Sequence, residues 1–266
     1  MQKENNYRYG SFTLGTVLTD MAFNGGVKPD AQVGKIKLTT TDAQLFEWPR
    51  ANSPPLLLLV FGSRSCPATI SSIPDIKNLY TQYGNEVEFA YLYVREAHPG
   101  EHIPQPQTMQ DKTVQACALQ NEYDIPWKVA VDTLYGEVHH LLATRPNAAY
   151  LIDATGKVVF RTLFAANANV IKKAIQQHLN DKPIAKQERS PVVYPVLKLI
   201  GLMWAVLGKA GTSAQRDLLL HTPFIYLPSR IATLLSVQSP FARGSIAMAL
   251  TIVIFALITW AIIGYI

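Results

Sequence analysis

The chain has 266 residues, 48% of them apolar and 16% charged, which suits one or two ordinary cores and excludes a disordered or low-complexity chain. Its two cysteines, Cys66 and Cys117, are too few for a disulfide framework or a cysteine-built metal centre. The net charge of +5 is uneven: residues 1–180 carry 16 basic and 16 acidic side chains, whereas residues 181–244 carry 8 basic against 3 acidic.

Residues 1–26 read as an N-terminal extension. Their polar opening never reaches an apolar signal-peptide core, so the following domain is expected on the cytoplasmic side. Residues 27–180 alternate strand and helix signals, the pattern of an α/β domain with parallel pairing. Leu56–Phe61, LLLLVF, begins after Pro54-Pro55 and reads as a strand buried on both faces. Ile70, Ile73, Ile76, Tyr80 and Tyr83 follow at helical spacing, with Pro74 expected to kink that helix. Val87–Val94 is a second buried strand, Met109–Tyr123 a helix and Trp127–Val131 a third strand. Ala148–Ile152 and Lys157–Thr162 read as a hairpin across Asp153-Ala154-Thr155-Gly156, and Val170–Leu179 as a closing helix.

Residues 181–244 are expected to form a basic juxtamembrane connector, broken by Pro183, Pro191, Pro223, Pro228 and Pro240. A basic patch can indicate nucleic acid. This one (Lys182, Lys186, Arg189, Lys198, Lys209, Arg216, Arg230, Arg243) runs into an uncharged segment. It therefore points to anionic headgroups, at roughly 1 kcal/mol per side chain near the surface, and not to nucleic acid. Within it, residues 192–207 read as an interfacial helix. A second span there would leave Lys209, Arg216, Arg230 and Arg243 outside, against the positive-inside tendency. Residues 245–266 lack any charged or histidine side chain over a length that spans a bilayer, about 20 residues. Trp260 and Tyr265 suit an interface. These features predict a single-pass C-terminal anchor contacting membrane lipids.

The thiol has an informative setting. Strand LLLLVF leads through Gly62-Ser63-Arg64-Ser65 to Cys66-Pro67, which places Cys66 at a helix start with proline at the first helical position. Free N–H groups there favour an anion and hence the reactive thiolate, and Arg64 is expected to add positive charge. The flanking strands run parallel, so Arg95, Glu96, Ala97 and His98 should emerge beside the Cys66 loop. A carboxylate and an imidazole there suit proton transfer. An imidazole titrating near 6.5 is expected to carry most of it, with Glu96 orienting or charging the ring. Thr69 stands where a dithiol motif needs its second cysteine, which excludes ordinary disulfide exchange. Cys117 is either a resolving thiol for an oxidised Cys66 or a small helix residue. His139-His140 point to different helix faces and find no third ligand, so no metal is expected.

GSRSCP, YLYVREAHP, QTMQDKTVQA, KVAVDTLYGEV and RPNAAYLIDATGKVVFRT resemble, in order and spacing, the iodothyronine deiodinase family over roughly residues 27–180. The resemblance implies a thioredoxin-like fold, a central mixed sheet flanked by helices, followed here by a C-terminal transmembrane helix. It places Cys66 at the family's selenocysteine position, Ser65 at the threonine and Arg64 at the neighbouring cysteine. Glu96 and His98 match the family's Glu-Ala-His, implicated in proton delivery. Ser63 lies three residues before the cysteine, as in peroxiredoxins, whose proline seven before it is Leu59 here. Pro146 stands where thioredoxin-type folds carry a cis-proline facing the thiol. Two departures bear on substrate: the family's acidic-Gly-Trp stretch is replaced by GEHIPQ, and a second family histidine falls at Pro106. The family also usually anchors at its N-terminus. The implied activity is a membrane-anchored, thiol-dependent oxidoreductase whose Cys66 thiolate attacks a halogen or peroxide electrophile. It needs no bound cofactor and is reduced by an external thiol of the thioredoxin or glutathione type. A peroxiredoxin-like peroxidase and a non-catalytic adaptor are the alternatives, and a homodimer is compatible with all three.

Overall fold

A computed structural model describes residues 7–21, 25–184, 191–235 and 237–263. The two continuous apolar runs become the central strands β3 (Leu56–Gly62) and β4 (Val87–Tyr93). They pair in parallel because helix α2 (Pro67–Tyr83) crosses between them, running through Pro74 as one helix. Before them lie α1 (Leu14–Met21), β1 (Ile36–Thr40) and β2 (Leu45–Trp48). After them come α3 (Met109–Glu122), β5 (Lys128–Val131), α4 (Glu137–Leu142), the hairpin β6 (Ala149–Asp153) and β7 (Val158–Thr162), and α5 (Ala168–Leu179). The sheet has seven strands in the order β2-β1-β5-β4-β3-β6-β7, with β5 parallel to β4 and β6 antiparallel to β3. This is the thioredoxin-like fold, widened by the β1–β2 hairpin.

Alternation along β3 divides the interior. Leu56, Leu58 and Val60 join Ile70 and Ile73 of α2, Leu119 of α3 and Ile171 of α5 in one core. Leu57, Leu59 and Phe61 join Phe46, Trp48 and Tyr150 in a second core on the opposite face. The start of α3 is fixed by a capping box, in which Thr108 and Asp111 exchange hydrogen bonds through their side chains and backbone N–H groups.

The C-terminal third forms four helices: α6 (Val193–Ala210), α7 (Thr212–His221), α8 (Pro223–Thr233) and α9 (Pro240–Ile263). All of stretch 192–207 but its first residue, the N-cap, falls within α6, which is packed against α2 and contributes Val206 to the main core. Lys198, an interruption in the apolar sequence, donates to Asp75 of α2 at 2.6 Å. Lys209 pairs with Glu122 of α3, and the Arg230 guanidinium lies 4.4 Å from the Trp204 ring centre. Those three basic residues therefore have partners in the protein. Lys186, Arg189 and Tyr265 lie outside the described residues.

Helices α6 and α9 cross closely. A Cβ added to Gly201 would lie 1.9 Å from the Pro240 carbonyl oxygen, and one on Gly244 would lie 1.8 Å from that of Leu197. Small residues at a crossing permit such approach between apolar helices. α9 is long and apolar enough to cross a membrane, and most of its C-terminal part is exposed. α6 passes the same length and composition test but is held against the domain.

Candidate active site

Cys66 caps the N-terminus of α2 with Pro67 after it, and its side chain is buried, 2% exposed. The turn leading to it is pinned on every side. The Cys66 N–H donates to the Ser63 carbonyl at 3.4 Å, and the Ser63 N–H donates to Thr69 Oγ1 at 3.2 Å. A Cβ on Gly62 would meet Thr69 Cγ2 at 2.8 Å, so the approach to this turn has no room for a side chain.

Glu96 organises the loop from beneath. It is fully buried, and its Oε2 accepts the Ser65 N–H at 2.8 Å and the Ser65 hydroxyl at 2.6 Å. Its Oε1 accepts the Tyr93 hydroxyl. The Ser65 hydroxyl in turn accepts the His98 N–H at 3.0 Å, and Ser63 Oγ accepts that of Ala97 at 3.3 Å. The strand-end segment is thus stitched to the thiol loop, as parallel pairing requires. Gln105 fixes it further, accepting the Glu96 N–H at 3.1 Å and donating to the Glu96 carbonyl at 2.6 Å. Burial raises the Glu96 carboxyl, and the Ser65 and Tyr93 hydrogen bonds oppose this only in part.

The expected division of labour between Glu96 and His98 changes. Glu96 gives its oxygens to Ser65 and Tyr93, while His98 Nδ1 is buried without a hydrogen-bond partner, so the carboxylate does not orient the ring through that atom. His98 packs on Phe12 with ring centres 4.0 Å apart. Burial drops its pKa to about 3, so the imidazole is neutral near pH 7 and does not titrate at 6.5.

Arg64 also departs from expectation. Its guanidinium extends to Glu122 at 3.3 Å, where Lys209 also pairs, because that carboxylate on α3 offers an ionic partner. The Arg145–Pro146 bond is not cis; among the described residues only Trp48–Pro49 is. Pro146 nonetheless shares a cavity with Cys66. Cys117 donates to the Thr41 carbonyl at 3.6 Å. Thr41 follows β1, three strand spacings from β3, or about 14 Å. A disulfide needs Cα atoms within about 7 Å, and both cysteines are free thiols in the structure. His139 is consumed structurally by Tyr7 and the Arg145 carbonyl, and no metal-holding cluster occurs among the described residues.

Cys66 and His98 open on a cavity of about 320 Å³. It is lined by Pro146, Phe164, Phe12 and Val17 and, on the part termed the roof, by α6–α9, through residues such as Leu199, Met203, Leu218, Phe224 and Met248. The GEHIPQ segment docks that roof. The Glu101 carboxylate accepts the N–H groups and hydroxyls of Thr212 and Ser213 at the start of α7. Its neighbours His102 and Ile103 donate their N–H groups to the Ala210 carbonyl at 2.9 and 3.3 Å. The N-terminal strap lies alongside: Tyr9 donates to the Ala97 carbonyl at 3.0 Å and the Phe12 N–H to Asp217 at 3.1 Å. Sequence reasoning missed Tyr93, Gln105, Phe12 and the whole roof. A tyrosine hydroxyl at the end of a largely apolar strand, beside the segment that carries Glu96, was the signal available for Tyr93.

A thiol stands at the start of the helix after the central strand of a thioredoxin-like fold, with no cysteine three residues on. The model of the family described as iodothyronine deiodinase matches residues 11–179, and the chain belongs to that family. A thyroxine 5-deiodinase of Ovis aries is 29% identical over 108 residues, covering 37% of this chain and 36% of that protein. A type I iodothyronine deiodinase of Xenopus laevis is 24% identical over 152 residues, covering 54% and 58%. The chain thus spans about a third of the length of the thyroxine 5-deiodinases it matches. Among solved structures, an uncharacterized conserved protein from Geobacillus kaustophilus aligns with a TM-score of 0.49 at 17% identity, over 62% of this chain and 89% of that one. A putative thiol:disulfide interchange protein DsbE from Chlorobium tepidum aligns at 0.44 and 14%, over 58% and 99%.

Proposed function

We propose that this protein is a thiol-dependent oxidoreductase held at a membrane by α9, with its redox domain on the cytoplasmic side. Cys66 takes an oxidising atom from an electrophile bound in the adjoining cavity. The observation that carries this reading is the placement of Cys66, at a helix start, on a turn fixed by Glu96, in the wall of a cavity.

With a peroxide, the Cys66 sulfur bonds to the terminal oxygen and the O–O bond breaks. The proton shed by the thiol ends on the departing oxygen, leaving a sulfenic acid and an alcohol. With an aryl halide, sulfur bonds to the halogen, the carbon–halogen bond breaks and the carbon takes the proton. In each case the thiol supplies the two electrons. An external thiol then attacks the oxidised sulfur, releasing water or halide and forming a mixed disulfide. A second thiol frees Cys66 and departs as part of a disulfide. Burial makes Glu96 a stronger proton holder than an ordinary carboxylate, which suits it to keep the thiol proton near the loop through Ser65. The unpartnered Nδ1 of His98 offers the substrate a hydrogen bond at the cavity wall.

The test is turnover of the full chain in lipid nanodiscs against hydroperoxides and iodinated phenols with a dithiol donor. Thiol-dependent product formation that disappears in Cys66→Ser is expected. Retained turnover in that variant, or none in the parent, would overturn the reading.

A further inference from the structure

We propose that the Cys66 cavity admits only uncharged, lipophilic electrophiles and rejects substrates carrying a carboxylate or a zwitterionic amino-acid group. This deepens the oxidoreductase reading and rests on it.

Among the described residues seventeen line the cavity, and none of these is Asp, Glu, Lys or Arg. Among the described residues the titratable groups on the wall are the Cys66 thiol and the His98 imidazole, and burial keeps that imidazole neutral near pH 7. An ion placed there would lose its water with no opposite charge to replace it, a penalty of several kcal/mol even after relaxation. Three cations of neighbouring elements are engaged elsewhere: Arg64 with Glu122, Lys198 with Asp75, and Arg95 against Tyr7 and Tyr9. An apolar body, in contrast, meets Leu199, Ile200, Met203, Leu218 and Phe224. The volume of about 320 Å³ is at the lower end of small-molecule sites, roughly 300–1,000 Å³, so the occupant is compact. Met248 links the wall to α9. Ile252, four residues on and hence on the same helix face, is exposed on the segment apolar enough to enter a membrane. The lining is therefore continuous with a surface that favours lipid-soluble molecules.

The test pairs neutral and charged versions of one reactive group, using the full chain in phosphatidylcholine nanodiscs with a dithiol donor. Cumene hydroperoxide is compared with its ring-carboxylated analogue, and a diiodoanisole, whose oxygen cannot ionise, with O-methyl-diiodotyrosine. The neutral member of whichever pair turns over should have the higher kcat/KM by at least 100-fold. Met203→Trp, which fills the cavity, should raise KM for the neutral substrate at least tenfold. Should that variant misfold by circular dichroism, the parent's substrate pairs still decide the matter. Calorimetry of Cys66→Ser with cumyl alcohol gives a readout independent of turnover. Binding of this neutral alcohol, with no binding of its carboxylated analogue, supports the cavity assignment even if no electrophile turns over, a result that would sink the redox reading alone. Equal turnover of neutral and charged partners overturns the cavity assignment and leaves the redox reading standing.

Discussion

Burial of His98 makes the stability of this protein depend on pH in a calculable way. The ring is neutral in the folded state down to about pH 3, whereas in the unfolded chain it takes a proton below about 6.5. A depressed value means that the folded state gains from the neutral ring. That gain is complete above pH 6.5 and is lost progressively as pH falls towards 3. At 1.36 kcal/mol per pH unit, the full loss approaches about 5 kcal/mol at acid pH, and about 2 kcal/mol is lost by pH 5. His98→Phe keeps a ring against Phe12 and removes the titration. Urea unfolding in nanodiscs at pH 7.5 and 5.0 should show the wild type losing about 2 kcal/mol more than the variant between the two conditions. Parallel losses would mean that the ring is solvated and already charged near pH 6.5, and the neutral hydrogen-bonding role given to it would fall.

Four further outcomes follow from other contacts. Glu96→Gln leaves one buried donor among Ser65 and Tyr93 badly paired, so it should cost about 1–3 kcal/mol in thermal unfolding and lower kcat roughly 10²–10⁴-fold if the carboxyl holds the proton; unchanged kcat in a folded variant refutes that role. Lys198→Met strands the Asp75 carboxylate and should cost about 2–4 kcal/mol, less than a fully buried pair because Asp75 keeps 19% of its side chain exposed; adding Asp75→Leu should recover most of the loss in the same urea titration. The Glu101 carboxyl is held well below the usual range by the Ser213 and Thr212 hydroxyls, so its contribution is present above about pH 4.5 and lost as pH falls through that lowered value; the protection of amides 212–214, measured against their intrinsic exchange rate at each pH, should fall on strong acidification in wild type and be low at all pH values in Glu101→Ala. Cys117→Ser should keep full thiol-dependent turnover, since the fold holds that sulfur near Thr41, and a sulfenic acid that cannot be recycled in this variant would show otherwise.

The sheet was legible because continuous apolar runs such as LLLLVF admit few alternatives, and parallel pairing then forces residues 95–98 beside the thiol. The partners of Glu96 were half legible. Its neighbourhood to Ser65 follows from topology, but the capture of its second oxygen by Tyr93 depends on where one side chain points at a strand end. The depressed value of His98 was not legible, because its burial comes from Phe12, more than eighty residues away in sequence, and from helices of the C-terminal third. Those helices were the largest omission. Their apolar faces and basic residues fit contact with lipid as well as contact with protein. Only the partners of Lys198, Lys209 and Arg230 tell the two apart. Arg64 shows the same limit in small: proximity in sequence to Cys66 says nothing of Glu122, fifty-eight residues further on.

The close crossing of α6 and α9 has a practical consequence for anyone trimming the molecule. A fragment ending before residue 240 loses Met248 from the wall and uncovers the backbone groove at Gly201. One ending near residue 180 also strips Asp75 of Lys198 and leaves Cys66 facing water. Such fragments retain every residue matched to the family, 11–179, and yet present a thiol in an open cleft. Their chemistry would report on a thioredoxin-like domain stripped of the cavity residues of α6–α9, not on the intact protein.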